Sequence, residues 1–293
     1  MPSAGSPADA ETARRSTEPF ISVVVPTRDR PEALAACIEA LSAQTAVDRL
    51  EVVVVDDGSV AANDVAAVVA RHPSARLVRL DAAGPAAARN AGAQRARGAI
   101  LCFTDDDCVP WADWAERLAG AIERGADAAA GATLSSGGAL ADASEIVAHA
   151  PGAVRPSGGS GLSFAPSNNL ACTKTVFEAV PFDQSYPDAA AEDREWCARL
   201  LAAGYVLRSE PAACVEHRQD LTLRRFLSRQ VRYGRGAYRF RRHNVDGRLE
   251  PLGFYTALLQ QAFAQSFTVG LLVTAAQAAT AFGFVLGWAG LRR

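Results

Sequence analysis

Three consecutive carboxylates, Asp105, Asp106 and Asp107, follow the apolar, strand-like residues 99–104. An acidic cluster at the carboxyl end of a buried strand is costly unless a cation occupies it. Oxygen ligands suit a hard ion such as Mg²⁺ or Mn²⁺. In open α/β sheets, ligands bind just beyond the carboxyl ends of the strands. The cluster therefore points to a divalent metal that holds a phosphorylated ligand; the plainer alternative is a solvated acidic turn.

Three more segments are expected at the same end of the sheet. Pro26, Thr27, Arg28 and Arg30 lie in the loop after a β-branched run, where backbone and Arg28 can wrap a nucleotide and its phosphates. Asp56 and Asp57 precede Gly58 and Ser59; a carboxylate there can accept a hydrogen bond from a base N–H, or the stretch is a capped turn. Arg89 and Asn90 fall on the first turns of a helix that opens at Gly84-Pro85, where the dipole favours anions.

Strand–helix units must position these groups. Residues 21–25 and 50–55 are β-branched runs, and residues 77–80 form a shorter strand. Helices are expected from Pro31, over 65–70 and over 86–97. Strands almost continuous in apolar residues, alternating with helices, imply a mostly parallel sheet covered on both faces. Further on, helices are expected over 111–124, 192–203 and 221–242, the last basic and amphipathic. Strands are expected over 164–171, 206–208 and 213–215. Residues 132–161, rich in Gly, Ala and Ser, read as a long mobile loop with some helix, able to close over a bound donor.

The bulk composition, 49% hydrophobic and 21% charged over 293 residues, is globular. A net charge of −2 argues against a general nucleic-acid binder, although arginine is dense over 218–248. The six cysteines show no CxxC spacing and read as core residues of a reducing compartment, without zinc site or disulfide framework. Residues 1–18 read as a disordered tail with no apolar signal core. No charged residue occurs between Glu250 and Arg292, and residues 266–290 alone are long enough to cross a bilayer.

In order and spacing, Val-Val-Val-Pro-Thr at 23–27, Val-Val-Asp-Asp-Gly-Ser at 54–59, Ala-Arg-Asn-Ala-Gly at 88–92 and Phe-Thr-Asp-Asp-Asp at 103–107 resemble the family 2 glycosyltransferases. The resemblance covers about residues 20–240 and implies an α/β fold of the GT-A type: a Rossmann-like, mostly parallel sheet with helices on both faces, here with a C-terminal helical extension. It implies an inverting, divalent-metal-dependent glycosyltransferase that moves one sugar, hexosyl or related, from a nucleoside-diphosphate-sugar to an acceptor hydroxyl. The acceptor would be a glycan, a lipid or a small molecule.

By the same resemblance Asp56 or Asp57 contacts the base. Asp105 and Asp106 contact the nucleotide, and the metal falls to two of the three aspartates, Asp105 and Asp107 being preferred. His217 resembles a histidine near the metal in some GT-A enzymes. Ser167-Asn168-Asn169 matches the stretch facing sugar and acceptor. The family's acidic pair is here Glu192-Asp193, with Asp193 the general base; from spacing alone both could be helix-start acids. Residues 230–233 depart from the Gln-x-x-Arg-Trp element of processive synthases: Tyr233 stands for the Trp and the register is one residue short, which argues against a polymer synthase.

The expected division is a tail over 1–18, a GT-A domain over 19–250 with a nucleotide half (19–110) and an acceptor half (111–250), and apolar helices over 251–293. The basic helix and the apolar stretch suggest association with membrane lipid, at the cytoplasmic face of the cell membrane or otherwise in the cytoplasm. A nucleotidyltransferase is the first rival, but Pro26-Thr27-Arg28 lacks its Gly-rich signature. A non-catalytic nucleotide-sugar-binding membrane protein is the second.

Overall fold

Val23, Val24 and Val25 are all fully buried, because both faces of their strand are covered. Successive side chains of a strand point to opposite faces. Val23 and Val25 accordingly join one apolar core, and Val24 joins another. The computed structural model describes residues 21–150, 161–186, 190–243 and 250–290. The expected N-terminal tail, residues 151–160 and the Arg292-Arg293 end lie outside the described residues.

Strands β1 (Ile21–Thr27), β2 (Leu50–Asp57), β3 (Ala75–Leu80) and β4 (Ile100–Thr104) are parallel, in the order β3-β2-β1-β4. Helices α1 (Pro31–Ser42) and α2 (Ala62–Val69) cover one face through Leu34, Ile38, Leu41 and Val65. Helix α3 (Pro85–Arg95) covers the other through Ala86, Ala88 and Ala93. Alanines suffice there because the helix lies close to the sheet: a Cβ on Gly92 would come 2.4 Å from Val24 Cγ1.

The second half comprises β5 (Cys108–Pro110), α4 (Trp114–Glu123), β6 (Ala128–Ser135), α5 (Ala139–His149), β7 (Asn169–Thr173), α6 (Lys174–Ala179), α7 (Glu192–Ala202) and β8 (Leu207–His217). The sheet continues from β4 as β7-β6-β8-β5. Strand β7 is antiparallel to both neighbours, β6 is parallel to β8, and β5 is antiparallel to β8. The parallel arrangement thus holds for the first half, and the second is mixed.

Residues 132–161 are not one loop where they are described. Residues 132–135 complete β6, and residues 139–149 form α5. Gly131 explains why the composition looked loop-like: a Cβ there would lie 1.9 Å from the Ala213 carbonyl, so this strand requires glycine at its bulge. The two short strands expected around 206–215 are a single β8, whose polar middle, Ser209-Glu210-Pro211, bows at the same bulge. The strand expected from residue 164 begins only at Asn169.

Three helices close the chain: α8 (Leu223–His243), α9 (Leu252–Gln265) and α10 (Phe267–Trp288). Helices α8 and α10 pack backbone to backbone. A Cβ on Gly234 would come 2.0 Å from the Thr280 carbonyl, and one on Gly283 2.0 Å from the Val231 carbonyl. Their inner residues, with Ala143 of α5, form a third apolar cluster containing Phe226, Leu258, Ala262 and Val273. Phe267, Leu271, Phe282, Val285 and Trp288 of α10 remain exposed on the outside.

Candidate active site

The turn after β4 carries the three aspartates, and each is held by a different part of the chain. Asp106 is buried, accepts a hydrogen bond from Thr27 Oγ1 at 2.8 Å and pairs with Arg30 Nη1 at 3.0 Å. Burial pushes its carboxyl up to about 7, against the pull of Arg30. Asp107 pairs with the same Arg30 nitrogen at 2.9 Å and with His217 Nε2 at 3.2 Å. Asp105 turns the other way, to Arg89 Nη2 at 2.8 Å.

His217 reaches Asp107 because Cys108 pairs with His217 in the β5–β8 ladder. Its second nitrogen, Nδ1, lies 2.6 Å from Glu145 Oε1 of α5. Burial would lower the imidazole, but the hydrogen bonds to Asp107 and Glu145 raise it to about 10. Burial likewise works against Asp107, yet the bond and charge of His217 hold its carboxyl below the ordinary value. Gln219 also donates to Glu145, and Arg229 of α8 donates to Gln219, so a chain of polar contacts runs from the aspartates to the C-terminal helices.

Arg89 is the buried link to the second acidic pair. Its Nη1 lies 3.3 Å from Glu192 Oε1 and 4.0 Å from Asp193 Oδ1. Glu192 and Asp193 open α7, and Ala191 before them adopts a left-handed φ of 71°. That strained turn directs both acids inward. Asp193 Oδ2 accepts the Ser167 N–H at 3.1 Å, while its Oδ1 is buried without a hydrogen-bond partner. Burial and the neighbouring Asp193 push Glu192 up to about 8, with Arg89 opposing. Burial raises Asp193 as well.

Other expected site residues lie elsewhere or serve the scaffold. Asp56 is fully buried; Oδ1 accepts the Ser59 N–H and Oδ2 pairs with Arg79 at 2.6 Å, so it ties down the turn. Asp57 accepts the N–H groups of Ala83 and Gly84 and fixes the entry to α3. Asn90 clamps the backbone N–H and carbonyl of Phe182 and is not turned toward the aspartates. Arg28 is exposed beside Asp29, and Pro26 lies within β1. Asn169 is likewise structural, bonded to Trp114 Nε1 and to the Ala132 and Ala213 carbonyls. Glu145 and Gln219 were not foreseen, since no local motif marks them.

Asp107, Cys108 and His217 bring ligand atoms within 4.8 Å of one another. Cys108 is fully buried, and burial holds its thiol well above the ordinary value, so it offers no thiolate. The usable donors are carboxylate oxygen and imidazole, a set that fits Mn²⁺ or Mg²⁺. Asp105, paired with Arg89, is the member of the expected metal set not gathered with Asp107 and His217. A cavity of about 270 Å³ opens beside them, lined at one end by Arg89, Asp105, Glu192 and Asp193.

The chain is similar to known proteins. Residues 22–146 match glycosyl transferase family 2. The glycosyltransferase AglE of Haloferax volcanii is 32% identical over 204 residues, 66% of this chain and 64% of AglE. The pre-mycofactocin glycosyltransferase of Mycobacterium tuberculosis is 30% identical over 233 residues, 74% of this chain and 46% of that protein. The chain therefore spans less than two thirds of these curated relatives. The solved mannosyltransferase PcManGT from Pyrobaculum calidifontis, in complex with GDP-Man and Mn²⁺, superposes with a TM-score of 0.59 at 18% identity, over 95% of this chain and 77% of that one. Residues 1–349 of S. aureus TarS in complex with UDP give 0.51 at 16% identity, over 82% and 70%. At such identities the likeness shows the fold, which is GT-A with added C-terminal helices.

Proposed function

The chain belongs to glycosyl transferase family 2, and from that premise we propose that it transfers a single sugar, hexosyl or related, from a nucleoside-diphosphate-sugar to an acceptor hydroxyl with inversion. The observation that carries the proposal is the buried, unpartnered Asp193 Oδ1 at the end of the cavity, with Arg89 and Asp105 beside it.

In this proposal Asp193 takes the proton of the acceptor hydroxyl as the acceptor oxygen bonds to the anomeric carbon. The bond from that carbon to the diphosphate oxygen breaks on the opposite face, and the electron pair leaves with the diphosphate. A carboxylate raised by burial is a stronger base than an exposed one. Glu192, adjacent and also raised, shares the Arg89 guanidinium with Asp193, and Arg89 holds both acids in place. A divalent cation, Mn²⁺ or Mg²⁺, held by Asp107 and His217, would neutralise charge on the diphosphate. Thr27 and Arg30 hold Asp106 and Asp107 in position. The neighbours solved with GDP-Man and Mn²⁺ and with UDP support this choice of donor class.

Asp193→Asn tests the base. The amide is close to isosteric but cannot take the proton, so turnover should fall by about 10²–10⁴ with donor affinity retained. Isothermal titration with the nucleotide beside a transfer assay reads both; equal loss of affinity and rate would make Asp193 a binding residue.

The division falls accordingly into a donor half over 19–110, an acceptor half over 111–250 and an anchor over 251–293. The anchor would sit at the cytoplasmic face of a membrane. Arg224, Arg225, Arg232 and Arg242 are exposed on α8, where each would contribute about 1 kcal/mol near anionic lipid. Helix α10 has a mean hydropathy of 1.8 over its most apolar window, with only 28% of that window buried. A chain ended after Glu250 should stay in the supernatant, whereas the full chain pellets with membranes and resists high salt. A full chain that remains soluble and monomeric without detergent rules the anchor out.

A further inference from the structure

The cavity that begins at Asp193 does not end within the α/β body. Its far wall is Phe254, Tyr255 and Leu258 of α9, with Thr280 of α10. Both helices lie in the stretch that carries no charged residue, and α10 turns Phe267, Phe282 and Trp288 outward. One pair of helices thus presents an apolar face to the surroundings and an apolar wall to the reactive end. On residues that line the same cavity, His149 Nε2 and Thr280 Oγ1 are buried without hydrogen-bond partners. A buried polar atom left unpaired is costly, so a ligand bearing polar groups at that depth would satisfy both.

We propose that this cavity is the acceptor site and that the acceptor is an amphiphile: a hydroxyl-bearing polar head on a hydrocarbon chain. The proposal rests on the glycosyltransferase reading above and names its second substrate. The head places its hydroxyl at Asp193 and its other polar atoms against His149 and Thr280. The hydrocarbon chain lies on Phe254, Tyr255 and Leu258, whose apolar surface is favourably covered by it. Mass does not change hands at this wall; it selects what reaches Asp193. A lipid-borne acceptor also explains why apolar side chains of α9 line a site whose reactive end is charged. A freely soluble sugar or nucleoside would gain nothing from that wall.

The test is photolabelling of the full chain in lipid nanodiscs by a hexadecyl glucoside carrying a diazirine in its alkyl chain. Labelled residues are mapped by mass spectrometry. Labels are expected on Tyr255 and Leu258 as well as on the outer face at Phe282 and Trp288. Dodecyl glucoside should compete at the inner positions, and methyl glucoside should not. Leu258→Trp, which fills the wall, should cut inner labelling by about tenfold, equivalent to about 1.4 kcal/mol, and leave outer labelling intact. Tyr255→Asp, at a half-buried position, gives the same expectation without crowding the core.

Labelling confined to the outer face overturns the proposal, as does inner labelling that survives both substitutions. Competition by methyl glucoside equal to that by dodecyl glucoside overturns it too, since the head alone would then be recognised. Thermal stabilisation of the same nanodisc preparation by UDP or GDP with Mn²⁺ tests the donor half separately. Inner labelling without nucleotide stabilisation would sink the transferase reading and leave the amphiphile site standing.

Discussion

The sheet has two halves that meet where β4 pairs with β7, and they hold their polar groups by different means. In the parallel half the buried carboxylates are satisfied within their own loops and neighbouring strands. Asp56 bonds to Ser59 and Arg79, and Asp57 bonds to Ala83 and Gly84. In the mixed half the partners are remote in sequence. Glu145 meets His217, 72 residues away. Arg89 crosses the seam to Glu192, 103 residues away. The first half can fix its loops before the rest is in place, whereas the groups assigned to chemistry exist as a set only once both halves are joined.

Arg89→Met should break this relation most severely. It leaves Glu192 and Asp105 without their cation, and losing one partner of a buried ion pair costs about 3–5 kcal/mol. Chemical denaturation of the variant measures it, and a loss below about 1 kcal/mol would show that the halves are not joined through this residue. Gly131→Ala is the next largest. The new methyl group meets the Ala213 carbonyl, a backbone atom, so β6 and β8 must part; about 1–3 kcal/mol is expected. A melting temperature equal to that of the unaltered chain would mean the bulge adjusts freely.

The smallest effect sharpens the contrast through pH. Glu192 is pushed from 4.5 up to about 8, so its charged form is disfavoured by folding and stability is withdrawn as pH rises between those values. His217 is pushed from 6.5 up to about 10, so its contribution is full below 6.5 and is lost as pH rises through about 10. Both act in the same direction. The metal-free chain should melt progressively lower from pH 7 to pH 10, while the rate under subsaturating substrate climbs with pH as Asp193 ionises. A melting temperature that rises over that interval would contradict both assignments.

The difference between the halves also decided what could be read from residues alone. The four parallel strands announced themselves as short apolar runs, valine-rich in β1 and β2, each ending at a loop whose residues lie at the expected end of the sheet. Asp107 and His217 meet across the β5–β8 ladder, and Asp105, Glu192 and Asp193 gather around Arg89. Strand β6 and helix α5 were hidden because alanine and glycine carry no periodic apolar signal. Glycine at 131 reports a close approach from β8, which is a tertiary fact. Glu145 was hidden with its helix, and nothing beside it in sequence indicates that it faces His217. Asn90 and Asp56 make contacts that their motifs do not announce. They sit in motif positions, yet their side chains are used to clamp Phe182 and the turn at Ser59.

Pairing β4 with β7 also has a consequence for synthesis. Strand β4 ends at Thr104 and its partner starts at Asn169. A ribosome adding about 5–20 residues per second takes several seconds to cover that interval. Throughout it, Ile100, Leu101, Cys102 and Phe103 form an apolar strand with an open edge, a template for pairing with another chain. A nascent chain stalled inside this interval is the species most exposed to aggregation, so slow codons would do least harm after residue 173, when β7 has closed the seam.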